Sequence, residues 1–297
     1  MFDKITEGRY WDDGWKLVEG CTKVSPACDN CWALAMDTRF SGSTKVRWFE
    51  SRLNKPLKRK TPTVYAIWND LFHEAVPFEF IDKVFAVMAL CPQHIFVVLT
   101  KRPERLRKYM CDGIRRNIPV YNAAQEVAWD FYGKQECFKF MPGDMATTRS
   151  SGGTWWPLPN VWIGVTAENQ EQADKRIPLL LATPAAKRIV SIEPVLGDIN
   201  LNLCHQCQAD PDKCGEHNKL DWVICGGETA PGKKARLLEP NWVRKLQDQC
   251  KAARTTFFFK GWGSWVPIGQ LMDKDSHDYD SDRMLDGKEY NEVPEVK

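Results

Sequence analysis

A chain of 297 residues, 43% of them hydrophobic and 27% charged, suits one large globular domain or two modest ones with a buried core. The net charge of +2 excludes a global field that would draw the whole molecule to nucleic acid, and no apolar run is long enough to span a membrane. The first residues do not have the pattern of a secretory signal, so the eleven cysteines predict a reducing compartment, the cytoplasm, in which they serve metals.

The first cysteines, Cys21, Cys28 and Cys31, lie in a loop that follows a short extended segment within residues 1–20 and precedes a helical stretch. One turn of backbone can aim Cys28 and Cys31 at one point, and Cys21 can reach the same point across the loop. Three thiolates without a fourth protein ligand leave an open coordination position, either on zinc or on an iron–sulfur cluster. Buried small residues, or a disulfide with a spare thiol, are the structural alternatives.

From residue 63 onward, short apolar strands alternate with amphipathic helices. The predicted strands cover residues 63–68, 94–99, 161–165, 188–192, 221–225 and 255–259. Continuous apolar strands that alternate with helices indicate a parallel sheet covered on both faces. With six or seven such units, the chain predicts an α/β fold, a full or partial parallel β/α barrel.

Two stretches interrupt this alternation, and we interpret residues 110–157 and 202–219 as insertions into a barrel that spans residues 1–271. The second insertion holds a possible second metal site, Cys204, Cys207, Cys214 and His217. Its spacing is close to that of structural zinc sites, with an auxiliary iron–sulfur cluster or unligated surface thiols as alternatives. Residues 272–297 are rich in aspartate and predict a loosely ordered acidic tail.

Nearly every predicted strand ends in a polar or charged residue. The carboxyl ends of barrel strands gather catalytic and binding groups, although Asp, Asn and Thr at these positions could also cap helices. The Gly226-Gly227 pair can bring backbone close to a ligand. The candidate binding residues are Asn69, Asp70, Thr100, Lys101, Thr166, Glu168, Glu193, Gly226, Gly227 and Glu228.

Three of the strand-end side chains are candidates for catalysis. Glu193 and Lys260 follow directly on apolar strands, where a helix cap is a weaker explanation. Asp70 opens the run Asp70-Leu71-Phe72-His73-Glu74, which lies where the mouth of the barrel is expected. We interpret this run as a wall of the site that could supply a general acid or base.

Several motifs together resemble one known family. They are Gly20-Cys21-Thr22-Lys23-Val24-Ser25-Pro26 with Cys28 and Cys31, Asp70 to Glu74, Leu99 to Pro103, Gly164 to Gln170, Ser191 to Pro194, Gly226 to Glu228, and Phe258 to Gly263. They run from about residue 10 to residue 265 and so cover most of the chain. On these motifs the chain resembles the phage and prophage three-Cys-motif proteins, which are regarded as radical S-adenosylmethionine (SAM)-like.

The resemblance implies a partial β/α barrel of radical SAM type with a 4Fe–4S cluster on Cys21, Cys28 and Cys31. It also implies reductive cleavage of SAM to a 5′-deoxyadenosyl radical, with electrons from a reducing donor. Two features depart from the radical SAM pattern. The cysteine spacing is longer than usual, and Gly226-Gly227-Glu228 follows a late strand, whereas the superfamily's SAM-binding Gly-Gly-Glu follows an early one.

Some members of the family are associated with thymine hypermodification in phage DNA. The resemblance therefore implies an isomerase, aminomutase-like, or a lyase that rearranges the side chain of a modified base, in the host cytoplasm if the protein is phage-encoded. The expected partners besides SAM are DNA or a modified nucleotide.

A basic stretch next to one strand end could hold the phosphates of such a substrate. It comprises Lys101, Arg102, Arg105, Arg107, Lys108, Arg115 and Arg116, and an ordinary solvated helix face is the alternative. A base inside a duplex has to flip out to be reached, and flipped bases stack on aromatic side chains. The candidates for stacking are Trp68, Trp155, Trp156 and Trp262.

Other functions remain open on the sequence. A radical SAM enzyme could act on another nucleic acid, in RNA modification or in DNA lesion repair. A zinc-dependent hydrolase or deaminase could use the same barrel and the same three thiols. A metal-stapled nucleic-acid-binding module would need no polar residues at so many strand ends.

Overall fold

The computed structural model describes residues 1–133, 156–203, 219–230, 234–267 and 283–296. In chain order the strands are β1 Asp13–Trp15, β2 Val18–Glu19, β3 Arg47–Trp48, β4 Val64–Ile67, β5 Ile95–Thr100, β6 Val161–Thr166, β7 Lys187–Ile192, β8 Trp222–Gly226, β9 Thr256–Gly261, β10 Met284–Leu285 and β11 Lys288–Glu289. The α-helices are α1 Trp32–Ser41, α2 Phe78–Leu90, α3 Pro103–Cys111, α4 Gly113–Tyr132, α5 Gln170–Leu181 and α6 Pro240–Ala252.

One curled sheet of seven strands forms the framework of this α/β fold. Its strands lie side by side in the order β1, β4, β5, β6, β7, β8 and β9, and every neighbouring pair is parallel. Each strand predicted from residue 63 onward is present, and the extended segment before the cysteines supplies β1. The sheet is a half-barrel, as a partial β/α barrel requires, with β2–β3 and β10–β11 as separate antiparallel pairs.

The apolar strands are buried because both faces of the sheet are covered. Alternate residues of a strand point to opposite faces, and they enter two different hydrophobic clusters. On β5, for example, Phe96 and Val98 pack in the large cluster with the helices, whereas Ile95 and Val97 pack in a smaller cluster. The smaller cluster also contains Phe2 from the start of the chain. The continuous apolar runs of the sequence follow from this double coverage.

Residues that favour the first turn of a helix mark the start of three of the helices. The side chain of Asn169 caps α5 by accepting a hydrogen bond from the backbone N–H of Gln172 at 3.0 Å. Pro103 and Pro240 each open a helix at a position where no backbone N–H is needed. Helices α3 and α5 begin soon after β5 and β6 end, and the strand-end side chains lie at one edge of the sheet. None of the helices in the described ranges is both long and apolar enough to cross a membrane.

The prediction of a loosely ordered tail over residues 272–297 is wrong for residues 283–296. Leu285 is buried, and the backbone N–H of Phe259 in β9 donates to the carbonyl of Tyr290 at 2.9 Å. The indole N–H of Trp222 donates to the carbonyl of Glu292 at 3.0 Å. Apolar side chains within an acidic segment are what dock it on the sheet. Residues 268–282, with most of the aspartates, lie outside the described residues.

The two predicted insertions are described only in part. The first begins within α3 and contains α4, which packs on α2, and at its far end Trp156 is buried against Phe85 and Tyr109. These parts belong to the helical layer on the outside of the sheet. In the second insertion, residues 204–218 lie outside the described residues. The predicted second metal site, Cys204, Cys207, Cys214 and His217, lies among them and stays a prediction.

Candidate functional site

A cavity of about 290 Å³ lies at the carboxyl ends of the parallel strands, between the strand ends and the cysteine loop of residues 20–31. Cys21, Cys28 and Cys31 all line it. The predicted site residues that line it from the strand ends are Asn69, Asp70, Thr100, Lys101, Thr166, Glu193, Gly227, Glu228 and Lys260. Glu168 and Gly226 lie just behind this surface. The predicted convergence of the loop and the strand ends on one site is therefore present.

The three cysteines of the loop are free thiols, so the disulfide alternative is not present in the described structure. Cys28 is buried, and Cys21 and Cys31 are half-buried at the cavity. Within the described ranges, no group of three or more His, Cys, Asp or Glu side chains is arranged to hold a single metal ion. The three cysteines line one shared cavity.

The loop starts at a position that only glycine can occupy. Gly20 has a φ of +76°, and a Cβ there would lie 2.3 Å from the carbonyl oxygen of Lys45. Its backbone N–H donates to Asp37 Oδ2 at 2.7 Å. Asp37 also accepts from Lys16 Nζ at 2.7 Å and from Asn69 Nδ2 at 2.8 Å. Burial would raise the pKa of Asp37, but these donors hold it below its ordinary range, so a buried carboxylate fixes the loop start.

Asp70 and Arg102 hold the loop beside Cys21. The Asp70 carboxylate is buried and accepts from Thr100 Oγ1 at 2.6 Å, Arg102 Nη1 at 2.8 Å and the backbone N–H groups of Phe72 (3.0 Å) and Lys101 (3.2 Å). Arg102 in turn donates to the hydroxyl and the carbonyl of Thr22. Asp70 therefore has its oxygens occupied by the protein itself. Its predicted catalytic role is not supported by this arrangement, because no lone pair is left open to the cavity.

His73 reinforces the same contact as a neutral imidazole. Its Nδ1 accepts from the backbone N–H of Ala75 at 3.1 Å, which leaves the Nε2–H to donate to Thr22 Oγ1 at 3.0 Å. Burial and the nearby Arg102 both lower the pKa of His73, in agreement with the neutral form. His73 is a structural residue of the loop anchor rather than a general acid or base.

Glu168 holds the middle of the loop. Its carboxylate is fully buried, with Oε1 accepting from the backbone N–H of Ala27 at 3.3 Å and Oε2 accepting from Arg176 Nη1 at 3.0 Å. Burial would raise the pKa of Glu168, but a hydrogen bond from Ser25 and the charge of Arg176 hold it below its ordinary value. Glu168 therefore stays ionised and fixes the loop directly before Cys28.

Glu228 holds the end of the loop. Asn30 Nδ2 donates to Glu228 Oε2 at 3.0 Å, and Arg236 donates to the same carboxylate through its backbone N–H and its guanidinium. Arg236 also reaches the loop itself, because its Nη2 donates to the Pro26 carbonyl at 3.1 Å. Burial would raise the pKa of Glu228, but the hydrogen bonds from Arg236 and Asn30 lower it. The Glu228 carboxylate, which was predicted to bind SAM, is therefore occupied by Arg236 and by Asn30, the residue before Cys31.

The Gly226-Gly227 pair serves backbone packing. A Cβ on Gly227 would lie 1.7 Å from the carbonyl oxygen of Trp262, and the Gly227 N–H donates to the Gly261 carbonyl at 2.8 Å. A Cβ on Gly226 would lie 3.3 Å from Cβ of Lys260. The glycines let β8 and the end of β9 approach each other closely, which is a different reason for glycine from the close approach of a ligand.

Other strand ends keep charged groups available at the cavity. Glu193 Oε1 and Lys260 Nζ form an ion pair at 2.8 Å, and Glu193 Oε2 accepts from Ser191 Oγ at 3.1 Å. Lys260 Nζ also lies 5.4 Å from the ring centre of Trp11. Lys101 lines the cavity and has no ion pair or side-chain hydrogen bond with any described residue. These side chains can bind a charged ligand without dismantling the loop anchors.

The aromatic residues predicted for base stacking separate into two kinds. Trp68 lines the cavity and meets Trp32 edge-to-face, with 5.4 Å between ring centres. Trp156 and Trp262 are buried, and their indole N–H groups donate to the carbonyls of Met110 and Met284. The prediction that they stack on a base is therefore wrong. Trp155 lies outside the described residues.

Among its described residues, the predicted basic ridge is divided between buried, partly buried and exposed positions. Arg102 is buried in the loop anchor, and Arg105 covers the Phe78 ring at 4.3 Å while donating to the carbonyl of Val76. Arg107 and Lys108 are exposed on α3. The side chains of Arg115 and Arg116 lie outside the described part. Periodicity could not identify Arg102 as an anchor, because its partner Asp70 lies on another strand end.

Sequence reasoning also missed Asp37, Asn30, Arg236 and Trp32. Asn30 and Asp37 could have been suspected, since each is a short polar side chain close to a cysteine. Arg236 offers no comparable signal in the sequence.

The comparisons with curated proteins and with solved structures each gave no match. A family model described as "Protein of unknown function (DUF5131)" matches residues 5–294, and this span includes the whole sheet, the cysteine loop and the cavity. The chain therefore belongs to the DUF5131 family.

Proposed function

We propose that the chain is a radical SAM enzyme whose half-barrel holds a 4Fe–4S cluster on Cys21, Cys28 and Cys31. One observation carries the proposal: three free thiols, anchored by three separate strand ends, line a cavity at the carboxyl ends of a parallel sheet. In β/α folds this end of the sheet is where ligands bind. The first parallel strand leads into the cysteine loop, and the charged residues that remain available line the same cavity.

We propose a cluster rather than a single ion for these thiols. Each iron of a cluster takes its own thiolate, so the sulfurs can lie apart around one cavity, whereas one zinc ion needs its ligands at about 2.3 Å from one centre. Three thiolates also leave one iron without a protein ligand. When bound there, cluster and SAM together supply a 5′-deoxyadenosyl radical, and the protein contributes binding, orientation and exclusion of water.

The charged residues that would bind SAM are only some of the site residues expected on sequence. Asp70, Glu168 and Glu228 are engaged with the loop, so the charged groups of SAM are left to Lys101, Glu193 and Lys260. Lys101 can take the carboxylate of the ligand, and the Glu193 carboxylate can take an ammonium group while Lys260 stays beside it. Thr166, which is buried but lines the same cavity, can offer its hydroxyl. The Trp32–Trp68 pair can cover a planar ring at the cavity edge.

For the substrate, we propose a modified base in nucleic acid, with rearrangement of its side chain. The support is a set of exposed residues on α1 and in the segment that follows it, here called the α1 surface: Trp32, which lines the cavity, with Met36, Arg39, Phe40, Lys45 and Trp48. Between Trp32 and Trp48 the one acid is the buried Asp37. Exposed aromatics mixed with cations are the composition that binds unstacked bases and phosphates. The surface continues into the cavity at Trp32.

The deciding experiment is anaerobic reconstitution of the full chain with iron and sulfide, followed by SAM and a strong reductant. We expect a brown protein that produces 5′-deoxyadenosine, and we expect Cys21→Ala, Cys28→Ala and Cys31→Ala each to lose both properties. Lys16→Gln would leave the thiols in place but remove one donor to Asp37, and serves as a matched loop control that still takes up iron. A colourless protein that retains zinc and makes no 5′-deoxyadenosine would favour the zinc hydrolase or deaminase instead.

The substrate is tested separately with DNA that carries an amino-acid-decorated thymine. We expect the reconstituted enzyme to rearrange this side chain with SAM and not to methylate it, as followed by mass spectrometry of the digested nucleosides. Turnover of modified RNA or of damaged DNA alone would assign the enzyme to RNA modification or to lesion repair. Turnover of free amino acids or proteins alone would reject a nucleic-acid substrate.

A further inference from the structure

Arg102 is a buried guanidinium with every N–H group engaged. Its Nε donates to Glu74 Oε2 at 2.8 Å, and one Nη1 hydrogen serves Asp70 Oδ2 at 2.8 Å. Nη2 donates to Thr22 Oγ1 at 2.7 Å and to the Thr22 carbonyl at 3.3 Å. The remaining contact runs from Nη1 to Cys21 Sγ at 3.7 Å. Since a guanidinium has five donors, four fix its orientation and the fifth is directed at the sulfur.

The three cysteine sulfurs are therefore not equivalent. Cys21 has a cationic donor, and Cys28 has the hydroxyl of Ser25 at 3.9 Å. No residue of the described ranges donates a hydrogen bond to Cys31 Sγ. A hydrogen-bond donor held rigidly beside one ligand sulfur of a cluster withdraws electron density from that sulfur. If Arg102 only anchored the loop, its contacts to Thr22 would be enough.

We propose that Arg102 is a positioning residue for the cluster, and that its N–H group donates to the Cys21 thiolate and raises the reduction potential of the cluster. This inference rests on the proposed function. In the reaction concerned, an external low-potential reductant gives one electron to the oxidised cluster, which becomes more negative by one charge. A hydrogen bond to a ligand sulfur stabilises the more negative form and so makes this reduction easier.

Because of the charges around Arg102, its hydrogen bond to Cys21, rather than its positive charge, is the main influence on the reduction potential. Asp70 is buried and offsets much of the positive charge, whereas Glu74 is two-thirds exposed, with 67% of its side chain accessible, so that water screens its contribution. Removal of Arg102 would also leave Asp70 close to Cys21 without its cation. Both consequences disfavour added negative charge on the cluster, and both lower its potential.

The test is a redox titration of the reconstituted full chain, with the reduced cluster followed by electron paramagnetic resonance. We expect Arg102→Gln to shift the midpoint potential to more negative values, and Arg102→Lys to shift it less, because one ammonium group cannot serve Cys21, Asp70, Glu74 and Thr22 together. Thr22→Val is the matched control. It removes the hydroxyl that anchors the loop but keeps Arg102 and its contact with sulfur, and we expect the parent potential.

Each result decides between the two roles. Equal potentials in Arg102→Gln and the parent, or an equal shift in Thr22→Val, would mean that Arg102 only anchors the loop. Should Arg102→Gln not retain a cluster, Arg102→Lys is titrated alone, and a parent potential there rejects the inference. Loss of the cluster from both variants would assign Arg102 to assembly instead of tuning. A parent protein that forms no cluster would reject the proposed function itself.

Discussion

Two groups of charged side chains lie at the same end of the sheet and are used differently. Asp70, Glu168 and Glu228 follow β4, β6 and β8, are less than 8% exposed, and have their oxygens filled by loop and arginine donors. Lys101, Glu193 and Lys260 come from β5, β7 and β9 and remain accessible at the cavity. The comparison teaches that saturation of hydrogen bonds, and not residue type or position after a strand, separates an anchor from a group that is free to bind a ligand.

The strongest test of this division is the removal of a fully buried anchor. Glu168→Ala leaves the buried Arg176 without its partner and the Ala27 N–H without its acceptor. Because breaking a buried ion pair strands a charge, we expect the free energy of unfolding to fall by about 3–5 kcal/mol. Chemical denaturation measures it. Glu193→Ala is the matched variant from the other group, with an expected loss of at most about 1 kcal/mol. Equal losses of unfolding free energy in the two variants would contradict the division into anchors and available groups.

Acid should act mainly on the anchors. The folded pKa values of Asp37, Glu168 and Glu228 lie below their ordinary values. The unfolded chain therefore takes up protons first, so their stabilisation is present above the ordinary pKa and is lost as the pH falls from about 5 toward the lower folded values.

Glu228→Gln makes this acid effect measurable at one site. The variant cannot ionise there, so we expect it to be less stable by about 1–3 kcal/mol at neutral pH and to lose less stability on acidification than the parent. Denaturant titrations at several pH values give both quantities. Glu126→Gln, on the exposed side of α4, should follow the parent at every pH. A parallel shift of the Glu228→Gln curve at all pH values would contradict the depressed pKa.

Substitution of an available charged residue at the cavity should change ligand binding and not the stability of the fold. Lys101→Met removes a cation that no described residue pairs with, so the free energy of unfolding should change by less than about 0.5 kcal/mol. A lost charge-assisted hydrogen bond should weaken SAM binding about tenfold. Calorimetry with the reconstituted protein measures the affinity, and Lys108→Met on the exposed face of α3 is the control. Unchanged affinity in Lys101→Met would remove Lys101 from the ligand site.

The smallest effect is expected on the α1 surface, which lies outside both groups. Arg39→Gln with Lys45→Gln removes two exposed cations, and we expect about three- to tenfold weaker binding of a labelled single-stranded DNA at low salt. The slope of log affinity against log salt should fall by about 2, or about one for each cation removed. Arg107→Gln with Lys108→Gln on α3 is the matched pair. If the variant with both substitutions on α3 weakens binding more, the DNA binds along α3 and not along the α1 surface.

The sequence predicted what depends on local pattern. Continuous apolar runs between helical stretches located the parallel strands, and polar residues after them located the cavity. The roles of those residues depend on contacts between distant parts of the chain. Ala27 and Glu168 are 141 positions apart, and Asn30 and Glu228 are 198 apart. No period or spacing carries that information.

The errors have the same origin. Arg102 belongs to a basic stretch, yet it is buried because Asp70 and Thr22 surround it in space. Trp156 and Trp262 are as aromatic as Trp68, and only packing decides which of them remains at the cavity. In the last segment, composition outweighed the few apolar residues, such as Leu285, that dock residues 283–296 on the sheet.

The long reach of the loop anchors gives biosynthesis a fixed order. The cysteine loop is translated before the strand ends that anchor it, and Asn30 has to wait for Glu228, which is made 198 residues later. At about 5–20 residues per second, this interval is about 10–40 s. During this interval the cysteine loop is joined to a sheet that is not yet complete. A nascent or truncated product that ends before residue 228 lacks the acceptor for Asn30, next to Cys31, so the cysteine loop is fully anchored only after residue 228 has been made.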